Sequence, residues 1–375
     1  ARLLIEGVLA ERRKILTEME SKSLLSAFHI PVTETILARS AHEAMMIASQ
    51  LGYPVALKID SPDIAHKSDV QGVELNILNG TGVRDTYNDM MERVKRLRPD
   101  ARINGVTVQK MARTRSGREI CVGVVTDDAF GPVVAFGAGG TMIELINDRA
   151  MELPPLNQYL AQSVIERSRV ADTLGEWRGM PAADHAALEQ VLLRVSEMVC
   201  ELPQLREMDI NPIIIDEEGA IAVDARIVVD SAPHAIGGRS GVYSHLPILP
   251  YPARFEQVWP MRGGGEYTVR PIHTEDAQML QDLVHSLSPE SRYFRFVSNM
   301  IELPPAMLAK LTLIDYDREM ALVARGEDPD TGERAILGVA RMQKSYGSDA
   351  GTLTLLINDR FQRLGIGKEL VRRLI

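Results

Sequence analysis

Apolar residues recur at helical spacing near the start of the chain. Leu24, Leu25 and Phe28 form one such pattern, and a second begins at Ala41, directly after Ser40, a residue type that favours a helix N-cap. Residues 55–59 are apolar apart from Lys58 and predict a short strand. Further helices are predicted over residues 83–96 and 183–200, and further strands over 73–78, 105–111, 119–126, 132–137, 207–215 and 220–224. Helices and strands mixed without regular alternation predict the α+β class.

The pattern changes over residues 231–265, which are rich in proline and glycine and have no periodicity. This stretch predicts a linker between a first domain, residues 1–230, and a second, residues 266–375. In the second domain we expect strands at 267–272, 320–324, 335–342 and 352–357, a helix at 274–285 and a final helix from 367. The chain begins without Met and ends inside an amphipathic pattern, so we expect a longer protein.

Composition narrows the class of protein. A formal charge of −9 over 375 residues argues against nonspecific nucleic-acid binding, and no apolar run approaches the length of a membrane span. The two cysteines, Cys121 and Cys200, exclude a disulfide framework and favour a reducing, cytoplasmic setting. We therefore expect a cytoplasmic protein with no nucleic-acid or membrane partner, and a homo-oligomer.

Residues 362–368 lie between an apolar strand and an amphipathic helix. Backbone N–H groups at a helix start, together with the helix dipole, favour an anion there, and Gly365 and Gly367 allow a phosphate close to the backbone. The alternative is a plain turn before a helix.

Lys58 interrupts an otherwise apolar strand, and a lysine is rarely buried without a partner. The partner we consider is a phosphate, and the alternative is a lysine on the solvent face of the strand. The polar residues 61–72 that follow are either a lid over a nucleotide or a surface loop.

Asn211 and Asp224 lie in two predicted strands joined by a short turn, residues 216–219. This hairpin brings the two side chains close together on adjacent strands. Because Mg²⁺ takes a few carboxylate or amide oxygens together with phosphate oxygens and water, the pair predicts a magnesium site.

These segments together resemble the ATP-grasp domain of NDP-forming acyl-CoA synthetases, over about residues 10–230, including a glycine-rich stretch at 130–140. The resemblance implies that Lys58 contacts ATP phosphates and that Gln109 and Lys110 line the adenine hinge. It also implies Glu119 in the nucleotide site, Asn211 and Asp224 on Mg²⁺, and ATP or ADP as ligand. His66 occupies a position that some relatives use in phosphoryl relay, although a loop histidine is the alternative.

Residues 266–375 resemble a GNAT acetyltransferase domain whose last part is missing. The resemblance implies that acetyl-CoA is bound by the strand before the loop and by the loop itself: Leu355, Leu356, Ile357, Gln362, Arg363, Leu364, Gly365, Ile366, Gly367 and Lys368. Many relatives carry a glutamate as general base where this chain has Thr352. The nearest carboxylates, Glu319 and Asp349, are candidate bases or simple surface charges, and the base stays unassigned.

The order of the two modules resembles bacterial Pat-type protein lysine acetyltransferases. This resemblance implies acetyl transfer from acetyl-CoA to lysines of metabolic enzymes, such as AMP-forming acetyl-CoA synthetase, with the ATP-grasp region as regulator. One alternative is an ADP-forming acyl-CoA synthetase β-type subunit with a regulatory GNAT domain. Another is a non-catalytic acetyl-CoA sensor.

Overall fold

The computed structural model describes residues 1–64, 67–112, 116–140, 148–231, 243–262, 264–296, 301–316, 318–328, 331–344 and 350–375. The chain divides into two compact units, Ala1–Pro247 and Ile248–Ile375, so the division falls inside the stretch where the sequence predicts a linker.

The first unit contains seven helices and ten strands within its described residues. The helices are α1 (Arg2–Ala10), α2 (Glu18–Ala27), α3 (Ala41–Leu51), α4 (Gly80–Leu97), α5 (Gln158–Arg167), α6 (Ala171–Leu174) and α7 (His185–Glu201). The strands are β1 (Thr35–Ala38), β2 (Val55–Asp60), β3 (Val73–Ile77), β4 (Gly105–Lys110), β5 (Arg118–Asp127), β6 (Gly131–Ala138), β7 (Ala150–Glu152), β8 (Leu205–Ile215), β9 (Ala220–Ala222) and β10 (Ala225–Val229).

A four-stranded antiparallel sheet with the order β1-β4-β2-β3 forms one part of this unit. Every residue of β2 is buried, because β2 lies inside the sheet and the helices α3 and α4 contribute to the same hydrophobic core. Lys58 and Asp60 therefore leave water with the rest of the strand and need polar partners inside the protein.

A six-stranded antiparallel sheet with the order β10-β8-β5-β6-β7 forms the other part, and β9 pairs with β8. Its core includes Ile120 on β5 and Phe136 on β6, packed in one cluster with Leu188 and Leu192 of α7. This sheet positions the hairpin that carries Asn211, since β8 pairs with both β9 and β10.

The start of α2 has a clear local cause. The Thr17 hydroxyl accepts a hydrogen bond from the Glu20 N–H at 3.3 Å, and the Glu20 carboxylate accepts one from the Thr17 N–H at 2.7 Å. This capping box satisfies two N–H groups that a helix start otherwise leaves without partners. The helix therefore begins at Glu18, and that residue lies in the first turn.

The second unit is built on one antiparallel sheet with the strand order β11-β12-β13-β14-β15. Its strands are β11 (Gln257–Pro260), β12 (Glu266–Pro271), β13 (Glu319–Glu327), β14 (Arg334–Lys344) and β15 (Gly351–Ile357), and its described helices are α8 (Ala277–Ser286), α9 (Pro289–Phe296), α10 (Pro305–Thr312) and α11 (Ile366–Leu374). A buried pair of hydrogen bonds, both 2.7 Å, joins the Arg270 guanidinium to the Asp276 carboxylate and fixes the turn before α8.

The mixed helix and strand content predicted from the sequence is confirmed. The predicted strand over 220–224 differs in detail, because β9 ends at Ala222 and Asp224 lies in the bend before β10. Within the described ranges, no helix is both long and apolar enough to span a membrane.

We predict that Phe136→Ala lowers the free energy of unfolding by about 3–5 kcal/mol, since it opens a cavity in a packed core. Phe136 is 1% exposed, whereas Phe130, in the turn directly before β6, is 59% exposed. Phe130→Ala is the matched control, and its effect should stay within about 0.5 kcal/mol. Urea unfolding followed by circular dichroism measures both, and equal effects would contradict the packing described here.

Candidate functional site

One cavity of the first unit has a volume of about 890 Å³. This volume lies within the range of about 300–1,000 Å³ that small-molecule sites commonly have. Its walls come from the segment before β1, the end of β4, the helix α7 and the β8–β9 hairpin, and include Val32, Met111, Val191, Ile214 and Ala220. We call this the large cavity.

The sequence predicts that Gln109 and Lys110 line the adenine hinge, and the structure separates these two neighbours. Lys110 is exposed and lines the large cavity, next to Met111. The Gln109 side chain is buried on the other face of β4, where its amide oxygen accepts a hydrogen bond from the Lys22 ammonium at 2.9 Å. Of the pair, Lys110 alone lines the large cavity, and the adenine-hinge role of both residues stays a prediction.

A second, more polar cavity of about 290 Å³ lies beside the end of β2. Five carboxylates contribute to its walls, so we call it the acidic cavity: Glu18, Asp60, Asp69, Asp209 and Asp224. Asn211, Lys67 and Arg226 line it as well. A cavity with this lining suits a cation that is itself bound to an anion such as a polyphosphate.

Lys58 contacts Asp224, which lines the acidic cavity, while Lys58 itself lies behind the cavity wall. The Lys58 ammonium donates hydrogen bonds to the Asp224 carboxylate at 3.1 Å and to the Glu18 carboxylate at 2.9 Å. Lys58 is buried, with 4% of its surface exposed, which excludes the solvent-face alternative for this lysine.

The ionisation of this cluster follows from its charges. Burial alone would raise the pKa of Glu18, but the ammonium groups of Lys58, Lys22 and Lys67 hold it well below its ordinary value. Burial would lower the pKa of Lys58, yet Glu18 and Asp224 together raise it. Burial, with a smaller contribution from the neighbouring Lys58 charge, lowers the pKa of Lys22 to about 8, while Glu18 opposes the shift. Glu18 is therefore ionised and Lys58 protonated at neutral pH.

Asn211 and Asp224, the predicted magnesium ligands, lie side by side. The Asn211 N–H donates to the Asp224 carbonyl at 3.2 Å, and both side chains line the acidic cavity. The described residues contain no group of three or more His, Cys, Asp or Glu side chains with the geometry of a metal site. The pair fits Mg²⁺ only with phosphate oxygens and water completing its shell, which is the usual arrangement for this ion.

The glycine-rich turn contacts Asn211. The Gly140 N–H donates to the amide oxygen of Asn211 at 2.8 Å, and the Gly139 N–H donates to the Glu119 carbonyl at 2.9 Å. A Cβ on Gly139 would lie 2.4 Å from the carbonyl oxygen of Ile120, and one on Gly140 would lie 1.9 Å from the Glu119 carboxylate. Glycine is thus required for this close approach, and it brings Glu119 next to Asn211.

In the second unit, a cavity of about 500 Å³ lies against the predicted acetyl-CoA loop. We call it the loop cavity, and these residues line it: Arg262, Leu355, Ile357, Phe361, Gln362, Arg363, Gly365, Gly367 and Lys368. Leu356 and Ile366 are instead buried in the two hydrophobic cores of this unit, and Leu364 packs against one of them. The acetyl-CoA role of these residues stays a prediction.

Of the three remaining predicted residues, the structure describes Glu319. Glu319 lies on β13, where its carboxylate forms an ion pair with the Arg341 guanidinium, so a partner inside the fold engages it. His66 and Asp349 lie outside the described residues.

Sequence reasoning missed Glu18, Lys67, Asp209 and Arg226, which all line the acidic cavity. The available signal for Glu18 was its spacing of four residues from Lys22 after the Thr17 cap, which places both on one face of a helix. Asp209 lies two residues before Asn211 on β8. Its carboxylate accepts a hydrogen bond from the Cys121 thiol at 3.2 Å.

Comparison with known proteins identifies the first unit. The ATP-grasp domain family matches residues 7–229. The β subunit of the ADP-forming acetate–CoA ligase I of Pyrococcus furiosus is 39% identical over 229 residues, which cover 61% of this chain and 97% of that subunit. A solved chain of the dinucleotide-forming acetyl-coenzyme A synthetase 1 of Ca. Korarchaeum cryptofilum, with coenzyme A and Ca-AMPCP, is 39% identical, with a TM-score of 0.59, covering 61% of this chain and 99% of that one.

An acetyltransferase of Pseudomonas aeruginosa is 33% identical over 112 residues, which cover 30% of this chain and 59% of that protein. This match is partial on both sides and does not show a family.

Three expectations from the sequence are therefore wrong: the Pat-type identity, the protein lysine acetyltransferase activity, and the partners, namely proteins with reactive lysines such as AMP-forming acetyl-CoA synthetase. They depended on the order of two modules and not on a site. The match to almost a whole ligase β subunit overturns them, and what it supports is an enzyme of the acyl-CoA ligase type.

The ATP-grasp match over residues 7–229 and the near-complete coverage of a ligase β subunit lead to one conclusion: the chain belongs to the ATP-grasp family, in the group that includes the β subunits of ADP-forming acetate–CoA ligases.

Proposed function

We propose that this chain is the nucleotide-binding, β-type component of an ADP-forming acyl-CoA synthetase. The reaction joins a carboxylic acid to the thiol of CoA while ATP is converted to ADP and phosphate. The observation that carries the proposal is the acidic cavity of an ATP-grasp unit, where Asn211 and Asp224 line the wall together with Lys67 and where Asp224 contacts the buried Lys58. This arrangement supplies a cation for phosphate oxygens and oxygen ligands for a metal in one place.

In this proposal the two cavities hold the two ends of MgATP. The large cavity has the volume and apolar walls that suit adenine, with Lys110 at its edge. The acidic cavity takes the phosphates, where Asn211 and Asp224 would bind Mg²⁺ and Lys58 would contact phosphate oxygens. Such an ion, when bound, neutralises charge on the phosphates during transfer. Lys58 does the same from the protein side, since it stays protonated at neutral pH.

The proposed partners follow from the relatives. The Pyrococcus furiosus relative is a β subunit, and the solved Korarchaeum chain is in complex with coenzyme A. We propose a complementary ligase subunit as the partner of this chain, with CoA and a small carboxylic acid as substrates. His66, whose relay role rests on resemblance, would then carry the phosphoryl group between the two parts.

For the second unit we propose a GNAT-type domain that binds acetyl-CoA at the loop cavity and regulates the ligase. The cavity lies at the N-terminal end of α11, where backbone N–H groups and the positive ends of peptide dipoles favour a pyrophosphate. Lys368 and Arg363 add positive charge to the same walls. Acetyl-CoA is the product when the ligase uses acetate. Its binding at the loop cavity would therefore make the regulation depend on the product concentration.

We predict that Asp224→Ala weakens MgATP binding at least tenfold, because it removes both a proposed metal ligand and one of the two carboxylate partners of Lys58. Isothermal titration calorimetry of MgATP on the full chain measures this. The matched control is Asp172→Ala on α6, an exposed carboxylate away from both cavities. Binding by the wild type that Asp224→Ala leaves unchanged would reject the metal assignment, and no binding by the wild type would reject the nucleotide site.

We predict that Lys368→Glu weakens acetyl-CoA binding about tenfold or more, since an attraction worth about 1 kcal/mol in water becomes a repulsion of similar size. Calorimetry with acetyl-CoA measures the effect, and MgATP binding by the first unit should not change. Lys310→Glu on α10 is the control, because that lysine is exposed in the same unit and lies outside the loop cavity. Equal effects of the two reversals would reject the loop cavity as the site.

A further inference from the structure

Glu18 occupies an unusual place for a carboxylate. It lies in the first turn of α2, where the Thr17–Glu20 capping box begins the helix, and its side chain is 0% exposed. A buried carboxylate is costly unless it is paired and hydrogen-bonded. Its partners therefore indicate what the residue does.

Three lysines from three separate elements converge on this one carboxylate. Lys22 follows one turn later on α2 and lies 2.9 Å away, and Lys58 on β2 also lies 2.9 Å away. Lys67 begins the 3₁₀ turn Lys67–Val70 and lies 2.6 Å away, on the second carboxylate oxygen. Glu18 thus holds the ends of a helix, a strand and a loop segment at fixed distances.

The two lysines outside α2 differ in exposure. The Lys58 side chain is 5% exposed and also contacts Asp224, whereas the Lys67 side chain is 16% exposed and lines the acidic cavity. Lys22 and Lys58 do not line the acidic cavity, so Lys67 is the one ammonium group of the cluster that faces the space where the proposed phosphates would lie.

The segment of residues 67–72, which begins with Lys67, is also held at its other end, Gly72. The Gly72 N–H donates to the Lys67 carbonyl at 2.8 Å, and the Gly72 carbonyl accepts from the Ile59 N–H at 2.8 Å. A Cβ on Gly72 would lie 2.5 Å from the Ile59 side chain, so only glycine lets the segment approach β2 this closely. With Gly72 anchored to β2, the contact between Lys67 and Glu18 fixes the near end of the segment.

We propose that Glu18 is a positioning residue of the nucleotide site, whose buried carboxylate holds Lys58 and Lys67 in place toward the phosphates of the nucleotide without touching it. The inference rests on the proposed function, because it assigns Glu18 a task in MgATP binding. A purely structural role fits the cluster poorly, since well-packed apolar residues often stabilise a core as well as buried ion pairs do.

The first experiment compares three variants by calorimetry with MgATP on the full chain. Glu18→Gln keeps the shape and removes the charge, and we expect about 10- to 100-fold weaker binding, the range found when groups behind a site are removed. Glu18→Asp keeps the charge with a shorter reach, and we expect an intermediate affinity. Glu20→Gln is the control on the same helix, because it breaks the ion pair with Arg13 and leaves the lysine cluster intact.

The second experiment is a double-mutant cycle with Lys67→Met. If Glu18 acts through Lys67, the Glu18→Gln variant has already lost part of what Lys67 contributes to MgATP affinity. The double variant then binds MgATP more tightly than the product of the two single fold-losses in affinity predicts. Fully multiplicative losses, or Glu18→Gln within twofold of the wild type, would overturn the proposal. If Glu18→Gln does not fold, the same cycle with Glu18→Asp decides by the same criteria.

A third measurement needs no nucleotide. Amine labelling of ligand-free protein, followed by mass spectrometry, should show Lys67 reacting several-fold faster in Glu18→Gln than in the wild type or in Glu20→Gln. Unchanged labelling overturns the positioning role even if MgATP binds. Faster labelling in a protein that binds no MgATP would reject the proposed nucleotide site, while Glu18 would still be shown to hold Lys67.

Discussion

The buried carboxylate of Glu18 is the interaction on which the proposed site depends most. It accepts hydrogen bonds from ammonium groups of α2, of β2 and of the segment after β2, and so joins these three elements through charge. Each lysine would be costly inside the protein without it, since a buried cation needs a paired anion. The capping box at Thr17 places this carboxylate, so a local rule of helix formation sets the geometry of a site built from distant residues.

The second constraint is the antiparallel arrangement of β8 with β9 and β10. Because β8 pairs with both strands, the bend between them brings Asp224 back beside Asn211. Asp224 then faces Lys58, which belongs to the other sheet of the unit. The proposed metal-binding pair and the proposed phosphate-binding cation thus come from two different sheets, an arrangement that the proposed nucleotide would use.

The sequence predicts those elements and contacts of the fold whose signal is local. The periodic apolar residues of α4 and the apolar run of β2 predict those elements closely, and the lysine inside β2 correctly pointed to a charged partner. The helix α1 was missed because its sequence lacks a side-chain cap, and β11 because it is short, mostly exposed and ends in Pro260. Glu18 was missed for another reason: its partners Lys58 and Lys67 lie 40 and 49 residues away. Periodicity does not report contacts between such distant residues, and the order of two modules misled the functional assignment.

The central claim is that the chain serves an ADP-forming ligase. The most direct measurement mixes the full chain with its complementary subunit, ATP, Mg²⁺, acetate and CoA, and separates the nucleotides by chromatography. The claim predicts ADP and acetyl-CoA in equal amounts, with formation of both requiring acetate and CoA together. AMP in place of ADP, or ADP release that needs neither acetate nor CoA, would contradict it.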